Sequence, residues 1–187
     1  MKLYAIFIIY KNATIAEARD LSSFGFFQRS SVGEFMTFMA QTLASKTKDG
    51  VRQSVEESNY LGHVYSRGGG LSGVVVSDNE YLPRVAFSLL NKVLDEFTTK
   101  YPSNTKWVSG QCPYPELQQY LNHYEDAISK VQNELDETKI ILHKTIEAVL
   151  ERGERMESLV ERSDVLSAQS KMFYKTAKKQ NSCCIIF

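Results

Sequence analysis

A seven-residue pattern in the last third of the chain limits what it can fold into. Between Ile128 and Gln180, positions spaced alternately three and four residues apart are mostly apolar, and the residues between them are mostly charged or amide side chains. This 3.5-residue period is typical of a coiled-coil helix, which here would be about 80 Å long. So narrow an apolar seam must pack on partner helices or on the rest of the chain. Its apolar positions are Ile128, Val131, Leu135, Leu142, Val149, Met156, Leu159, Leu166, Phe173 and Ala177.

One seam position, Arg152, is charged. An arginine is costly to desolvate unless its donors meet acceptors, so a buried Arg152 would fix the register and number of the partner helices. Alternatively, Arg152 lies at the edge of the seam and extends its charged end to water. The spacing leaves both alternatives open.

The residues around this position resemble a known family. The segment ELDETKIILHKTIEAVLERGERMESLVERSDVLSAQSKMFYKTAKKQ is similar to the SNARE motif of the R class, and Arg152 matches its central ionic-layer arginine. In that family the arginine meets three glutamines from partner helices in a parallel four-helix bundle. The resemblance therefore implies three Q-SNARE helices as partners and a role in vesicle-membrane fusion during intracellular transport.

Length and composition are those of one ordinary domain with an extension. The chain has 187 residues, a net charge of zero and a pI near 6.8, which argues against nucleic acid as a partner. It contains no apolar run long enough to span a bilayer. Its three cysteines, Cys112, Cys183 and Cys184, form no disulfide framework and fit a reducing cytosol.

Residues 1 to about 100 indicate a mixed α and β domain. Strands are predicted at 2–10, 16–21, 52–57, 60–66 and 71–77, the last three as an antiparallel meander joined by tight turns. Helices are predicted at about 32–47 and from Pro83 onwards, and a short third helix is predicted beyond this region at 116–125.

The first predicted helix carries apolar side chains over a wide arc, including Phe35, Phe38 and Met39. The arc covers roughly 200°, against about 100° for a simple surface helix. Phe38 lies at one edge of it. Phe38 is either another core residue or part of an exposed patch that receives a further segment.

Four segments of this part resemble the longin domain that precedes the motif in long R-SNAREs: KLYAIFIIY, SSFGFFQRSSVGEFMTFMAQTLAS, NYLGHVYSR and DNEYLPRVAFSLLNKVLDEF. The resemblance implies an α+β, profilin-like fold with a five-stranded antiparallel sheet between one helix and two others. It also implies that Phe35, Phe38 and Met39 form a docking surface that holds the SNARE motif, or a lipid, in a closed state. We therefore expect a longin domain over 1–125, a SNARE motif over 126–180 and a tail over 181–187. The motif would be one long helix in a bundle, and residues 128–180 would be disordered or docked on the longin domain when the chain is alone.

The chain ends in Cys184-Ile185-Ile186-Phe187, a C-a-a-X sequence preceded by Cys183. Stable attachment to a membrane takes two signals, and Cys184 with a prenyl group, Cys183 with a second lipid and nearby lysines would supply them. The alternative is a chance sequence on a soluble protein. The ending resembles the prenylated, lipid-anchored longin R-SNAREs and implies palmitoyl or another lipid at Cys183. The final Phe leans towards geranylgeranyl, whereas the resemblance implies farnesyl.

No catalytic residues, metal site or cofactor other than covalent lipids is predicted. His63, His123 and His143 are isolated, and the Arg67–Gly73 segment lacks the ending of a phosphate-binding loop. We expect a non-enzymatic protein on the cytosolic face of Golgi, vesicle, vacuolar or endosomal membranes. A tether that binds partners without driving fusion is the alternative. We further hypothesise that phosphorylation of Ser163 or Ser170 blocks bundle entry by placing charge in the seam.

Overall fold

The computed structural model describes residues 1–102, 106–123 and 139–182. Six strands lie at Leu3–Tyr10 (β1), Ala13–Arg19 (β2), Arg52–Glu57 (β3), Tyr60–Gly68 (β4), Leu71–Asp78 (β5) and Ile140–His143 (β6). Five α-helices lie at Arg29–Lys46 (α1), Pro83–Lys100 (α2), Glu116–His123 (α3), Met156–Arg162 (α4) and Ala168–Ser182 (α5), and a short 3-10 turn covers Ile146–Ala148. No helix within the described ranges is long and apolar enough to cross a membrane.

The six strands form one sheet in the order β2-β1-β5-β4-β3-β6. The first five are antiparallel to their neighbours, and β3, β4 and β5 form the predicted meander. The mixed α and β fold is therefore confirmed, with one difference in the strand count. The sixth strand comes from the SNARE-like segment and lies parallel to β3, where it covers an edge that would otherwise expose unpaired backbone groups.

The second strand begins earlier than predicted because the first hairpin turns at Lys11 and Asn12. Both residues have positive φ, 47° and 67°, as in the tight turns whose twist suits antiparallel strands. Such turns usually contain glycine, which this one lacks, so the sequence pattern did not show it. The strand consequently starts at Ala13, three residues before the predicted 16.

The sheet has an apolar core on each face. On one face α2 and α3 cover a core that includes Leu90, Leu94 and Leu117. On the other face α1 covers a core that also contains side chains from residues 146–174. Two glycines bring the helices close: a Cβ at Gly73 would lie 2.8 Å from the Leu90 side chain, and one at Gly62 would lie 2.4 Å from Leu43.

The long single helix expected over 126–180 is not formed in the described part of that range. Residues 139–182 instead form β6, the 3-10 turn, α4 and α5. The chain turns sharply at Gly153, whose φ of +89° is incompatible with a right-handed helix. The difference arises because this segment buries its apolar side chains on the mixed α and β domain that precedes it in the chain.

Candidate functional site: the surface that binds residues 139–182

Residues 139–182 begin their contact with the first domain by extending its sheet. β6 pairs with β3 in parallel, with Arg52 opposite Ile140 and Val55 opposite His143. The side chain of Ile140 packs on the core beside α2. Leu142, in the same strand, is 67% exposed. The strand is therefore held mainly by its backbone pairing.

Residues 146–174, from the 3-10 turn into α5, then bury five side chains in the core beside α1. These residues are Ile146, Met156, Val160, Leu166 and Tyr174, each at most 6% exposed. Phe35 of α1 meets them directly, because its ring centroid lies 5.2 Å from that of Tyr174 and 6.4 Å from that of Phe173. Burying a side chain of this size contributes about 1.5–3 kcal/mol. Apolar contact is thus the main attraction.

The carboxylate of Glu34 fixes the start of α5. Its Oε2 accepts hydrogen bonds from the Ser170 hydroxyl at 2.6 Å and from the Ser167 backbone N–H at 3.0 Å. These donors, with Ser170 first, hold the pKa of Glu34 below its ordinary value. The carboxylate therefore acts as an external cap for the first turn of α5.

A buried carboxylate, Glu57, faces the middle of α5. It is 7% exposed and accepts a hydrogen bond from the Tyr174 hydroxyl at 3.2 Å. Burial raises the pKa of Glu57, and the nearby Glu147 carboxylate adds to the rise. Burial, followed by the charge of Glu57, also raises the pKa of Tyr174. Tyr174 thus satisfies a carboxylate whose burial would otherwise oppose docking.

Ion pairs surround these contacts. The ammonium of Lys46, at the end of α1, lies 2.8 Å from Glu151 and 2.9 Å from Glu154. Lys178 of α5 pairs with Glu157 of α4 at 2.8 Å. These groups are partly exposed, so each pair contributes little to stability but helps to set the orientation of the segment. We call the surface formed by Glu34, Phe35, Lys46 and Glu57 the docking face.

The docked segment uses part of the heptad seam and part of a neighbouring stripe. Met156, Leu166 and Ser170 are seam positions and are buried. Ile146, Val160 and Tyr174 each follow a seam position by one residue and recur every fourteen residues, which places them beside the seam on a heptad helix. The same stretch therefore buries partly different side chains in its docked form and in a coiled coil. The three seam residues Met156, Leu166 and Ser170 would be buried in both forms.

The other residues predicted for the docking surface and the seam differ in how far they are buried. Met39 is fully buried in the core beside α1, and Phe38 is half-buried against that core. Val149, Leu159, Phe173 and Ala177 are half-buried. Arg152 is exposed, next to the turn at Gly153. Ile128, Val131, Leu135, Cys183 and Cys184 lie outside the described residues.

Sequence reasoning missed Glu34, Glu57, Ile146, Val160 and Tyr174. The fourteen-residue recurrence of the last three was the available signal, because it marks a second stripe beside the seam. Glu34 and Glu57 gave no such signal. Their partners lie more than 100 residues away along the chain.

Fold and docking surface together define a longin-type domain that holds a folded-back coiled-coil segment. The comparisons with known proteins identify the same two parts of the chain. The family model for Longin, a regulated-SNARE-like domain, matches residues 21–124, and the model for Synaptobrevin matches residues 127–185. The chain is 57% identical to "Synaptobrevin homolog ykt6" of Schizosaccharomyces pombe over 197 aligned positions that cover both chains completely.

Two further relatives are also named synaptobrevin homologs. The protein from Saccharomyces cerevisiae is 54% identical over 94% of this chain and 92% of its own length. The one from Yarrowia lipolytica is 52% identical over the full length of both chains.

The chain therefore belongs to the longin-domain synaptobrevins, the R-SNAREs with a longin domain. It acts in vesicle-membrane fusion, its SNARE motif binds other SNARE helices, and its family is not enzymatic. The predictions of family and general function are confirmed.

Proposed function

We propose that docking of residues 139–182 on the longin domain inhibits this R-SNARE. The observation that carries the proposal is the burial of Met156, Leu166 and Ser170, which belong to the heptad seam. A side chain packed on α1 cannot at the same time pack between partner helices. Entry into a SNARE bundle therefore requires the segment to leave the docking face and become a continuous helix.

Mixing the full chain with three soluble Q-SNARE helices tests this proposal. The rise in helicity should be slow for the full chain and faster for a Tyr174→Ala variant, because that variant loses a docked ring outside the seam. Met172→Ala is the matched control, since Met172 lies on the same helix and is 68% exposed. Equal assembly rates for the full chain and Tyr174→Ala would contradict inhibition by docking.

We propose further that the partners are three Q-SNARE helices and that Arg152 meets their glutamines in the central layer. Arg152 is exposed in the docked state, so its replacement should cost the docked segment little buried surface. Arg152→Leu should leave hydrogen exchange of the docked segment unchanged and lower the thermal stability of the assembled bundle. Arg152→Lys, which retains the charge but not the planar group, is the control for charge alone.

The membrane attachment proposed here is covalent. A prenyl group at Cys184 and an acyl group, palmitoyl by resemblance, at Cys183 would attach the chain to the cytosolic face of Golgi, vesicle, vacuolar or endosomal membranes. The mass of the C-terminal peptide from the native protein tests this directly and distinguishes farnesyl from geranylgeranyl. An unmodified C-terminal peptide would refute it.

A liposome fusion assay separates fusion from tethering. The lipidated chain and three Q-SNARE helices on opposing vesicles should mix lipids as well as cluster the vesicles. Clustering without lipid mixing would favour a tether.

A further inference from the structure

The loop between β2 and α1 exposes two adjacent aromatic rings. Phe26 is 77% exposed and Phe27 is 94% exposed, and their rings meet edge to face at 5.5 Å. Single exposed apolar residues are normal on a protein surface, whereas contiguous ones mark contact sites for proteins or membranes. The SNARE function described above does not use this pair.

The loop is held in shape by its own hydrogen bonds. The backbone N–H of Gln28 donates to the Gly25 carbonyl at 2.8 Å, and the guanidinium of Arg29 donates to the carbonyls of Phe24 and Ser22 at 3.1 and 3.3 Å. The Phe24 ring holds the loop against β1, because its centroid lies 5.4 Å from that of the Tyr4 ring. The two exposed rings are therefore displayed on an ordered support.

The charge of the loop suits an anionic surface. The sequence has no acidic residue between Asp20 and Glu34, and Arg29 is its one charged residue there. Asp20 itself pairs with Lys2 at 3.2 Å, so its charge is partly neutralised. An anionic bilayer would thus meet two aromatic rings on a loop whose one charged residue is a cation.

The loop lies at the same end of the sheet as the helix that leads to the C-terminus. The Phe24 ring is 6.3 Å from that of Tyr60, which pairs with Glu57 across the β3–β4 hairpin. Glu57 in turn accepts the hydrogen bond from Tyr174 in α5. Only nine residues separate Tyr174 from Cys183. The middle of α5, a few residues before the proposed lipid sites, therefore lies at the same end of the sheet as the loop.

We propose that Phe26 and Phe27 insert into the interfacial region of a phospholipid bilayer. They form a second, non-covalent membrane contact of the longin domain, and the surface they recognise is the bilayer itself. The proposal rests on the proposed lipid attachment only in that the tail would bring the loop to the membrane. A two-ring loop with no acidic residue fits a bilayer better than a protein pocket, because the bilayer requires no matching shape.

Vesicle flotation of the full chain tests the loop by itself. The chain carries Cys183→Ser and Cys184→Ser to remove the tail's lipids, and the vesicles are phosphatidylcholine with about one-third phosphatidylserine. Phe26→Ser/Phe27→Ser should weaken partitioning at least about tenfold, because both rings lose their apolar surface. Leu82→Ser/Val108→Ser removes two exposed apolar residues from elsewhere and should change it less than about twofold.

Tryptophan fluorescence of a substituted chain detects insertion into the bilayer directly. Phe27→Trp should shift its emission to shorter wavelength when vesicles are added, whereas Leu82→Trp, at an exposed position immediately before α2, should not. The unsubstituted chain corrects for Trp107. An unshifted Phe27→Trp spectrum, or equal partitioning of the Phe26/Phe27 variant and its parent, would overturn the proposal. Both substitutions are at exposed sites, so the fold remains intact, which the melting temperature checks.

Two further outcomes separate this proposal from neighbouring ones. If the Phe26/Phe27 variant binds vesicles normally but loses binding to Q-SNARE helices, the loop contacts protein and the membrane proposal is wrong. If neither the unsubstituted chain nor Tyr174→Ala assembles with Q-SNARE helices, the proposed bundle is wrong, and if both assemble at the same rate, the proposed inhibition is wrong. The loop's vesicle partitioning is measured without those helices and stands or falls separately.

Discussion

The sheet of the longin domain and the docked segment 139–182 bury their side chains in different ways. In β1 and β5 almost every residue is buried, because helices or docked residues cover both faces. In the docked segment, buried residues alternate with exposed ones such as Leu142, Arg152 and Met172. The sheet has a single arrangement in which its apolar side chains are buried. The docked segment still has exposed apolar side chains, which a different partner could bury.

This difference explains how one sequence can specify a stable domain and a segment that changes partners. To the core beneath α2 and α3 the docked segment contributes only the partly buried side chain of Ile140. The docked segment contributes only part of the core beside α1. Opening therefore requires loss of a limited contact area and leaves most of the longin fold in place.

The largest expected effect comes from Tyr174. Tyr174→Ala removes a ring that is 2% exposed and the hydrogen bond to Glu57, and large-to-small core changes cost about 3 kcal/mol or more. The open fraction should rise at least about 100-fold. Hydrogen exchange of the amides in 139–182 measures it. Protection that matches the unsubstituted chain would contradict the assigned role of Tyr174, and Met172→Ala should show that unchanged protection.

The second-largest effect is expected from Gly153→Ala, which changes the backbone preference at the docked turn. Gly153 has φ +89° when docked and must become helical in a bundle, and an added Cβ would meet no atom within 4 Å. Gly153→Ala should disfavour the docked turn by about 1 kcal/mol and favour the helix by about 1 kcal/mol. The combined shift towards the helical state is about thirtyfold. Hydrogen exchange measures the loss of the docked turn, and the melting temperature of the bundle measures the gain in helix stability. Unchanged values in both would contradict the assigned role of Gly153.

The Glu34 carboxylate should contribute less. Glu34→Gln replaces a charge-assisted acceptor by a neutral one, so opening should increase about tenfold at neutral pH. The Ser167 and Ser170 donors lower the pKa of Glu34 in the docked state, so its contribution is complete above its ordinary pKa and disappears as pH falls through the lowered value. Opening of the Gln variant should lack this acid dependence.

Glu57 should give the smallest effect, with the opposite sign. Its pKa is raised by burial in the docked state, so its contribution to docking is complete below its ordinary pKa and is lost as pH rises through the raised value. The ionised form of this buried carboxylate opposes docking. Glu57→Gln should therefore reduce opening about threefold at neutral pH. Increased opening in hydrogen exchange would show that the charged carboxylate supports docking.

Much of the longin fold could be predicted because its signals are local. The continuous apolar run of β1, the glycine-rich turn before β5 and Pro83 at the start of α2 each mark an element within a few residues. The hairpin at Lys11 and Asn12 was missed because its positive φ values are adopted without glycine.

The docked form of the motif could not be predicted from the heptads, because they describe its other arrangement. The seam indicates a helix among helices, and it holds no information about β6 pairing with β3. The contacts that decide the docked form, such as Glu34 with Ser170 and Glu57 with Tyr174, join residues 136 and 117 positions apart. A period of three or four residues cannot encode them.

The most direct test compares assembly with opening across variants whose changes lie in the longin domain. Glu34→Gln and Glu57→Gln alter docking without changing the SNARE motif, so the bundle they form is identical. If only the open state assembles, the rate of assembly with three Q-SNARE helices should rise and fall in proportion to the open fraction measured by hydrogen exchange. Rates that stay constant while the open fraction changes would contradict the claim that docking and bundle entry are mutually exclusive.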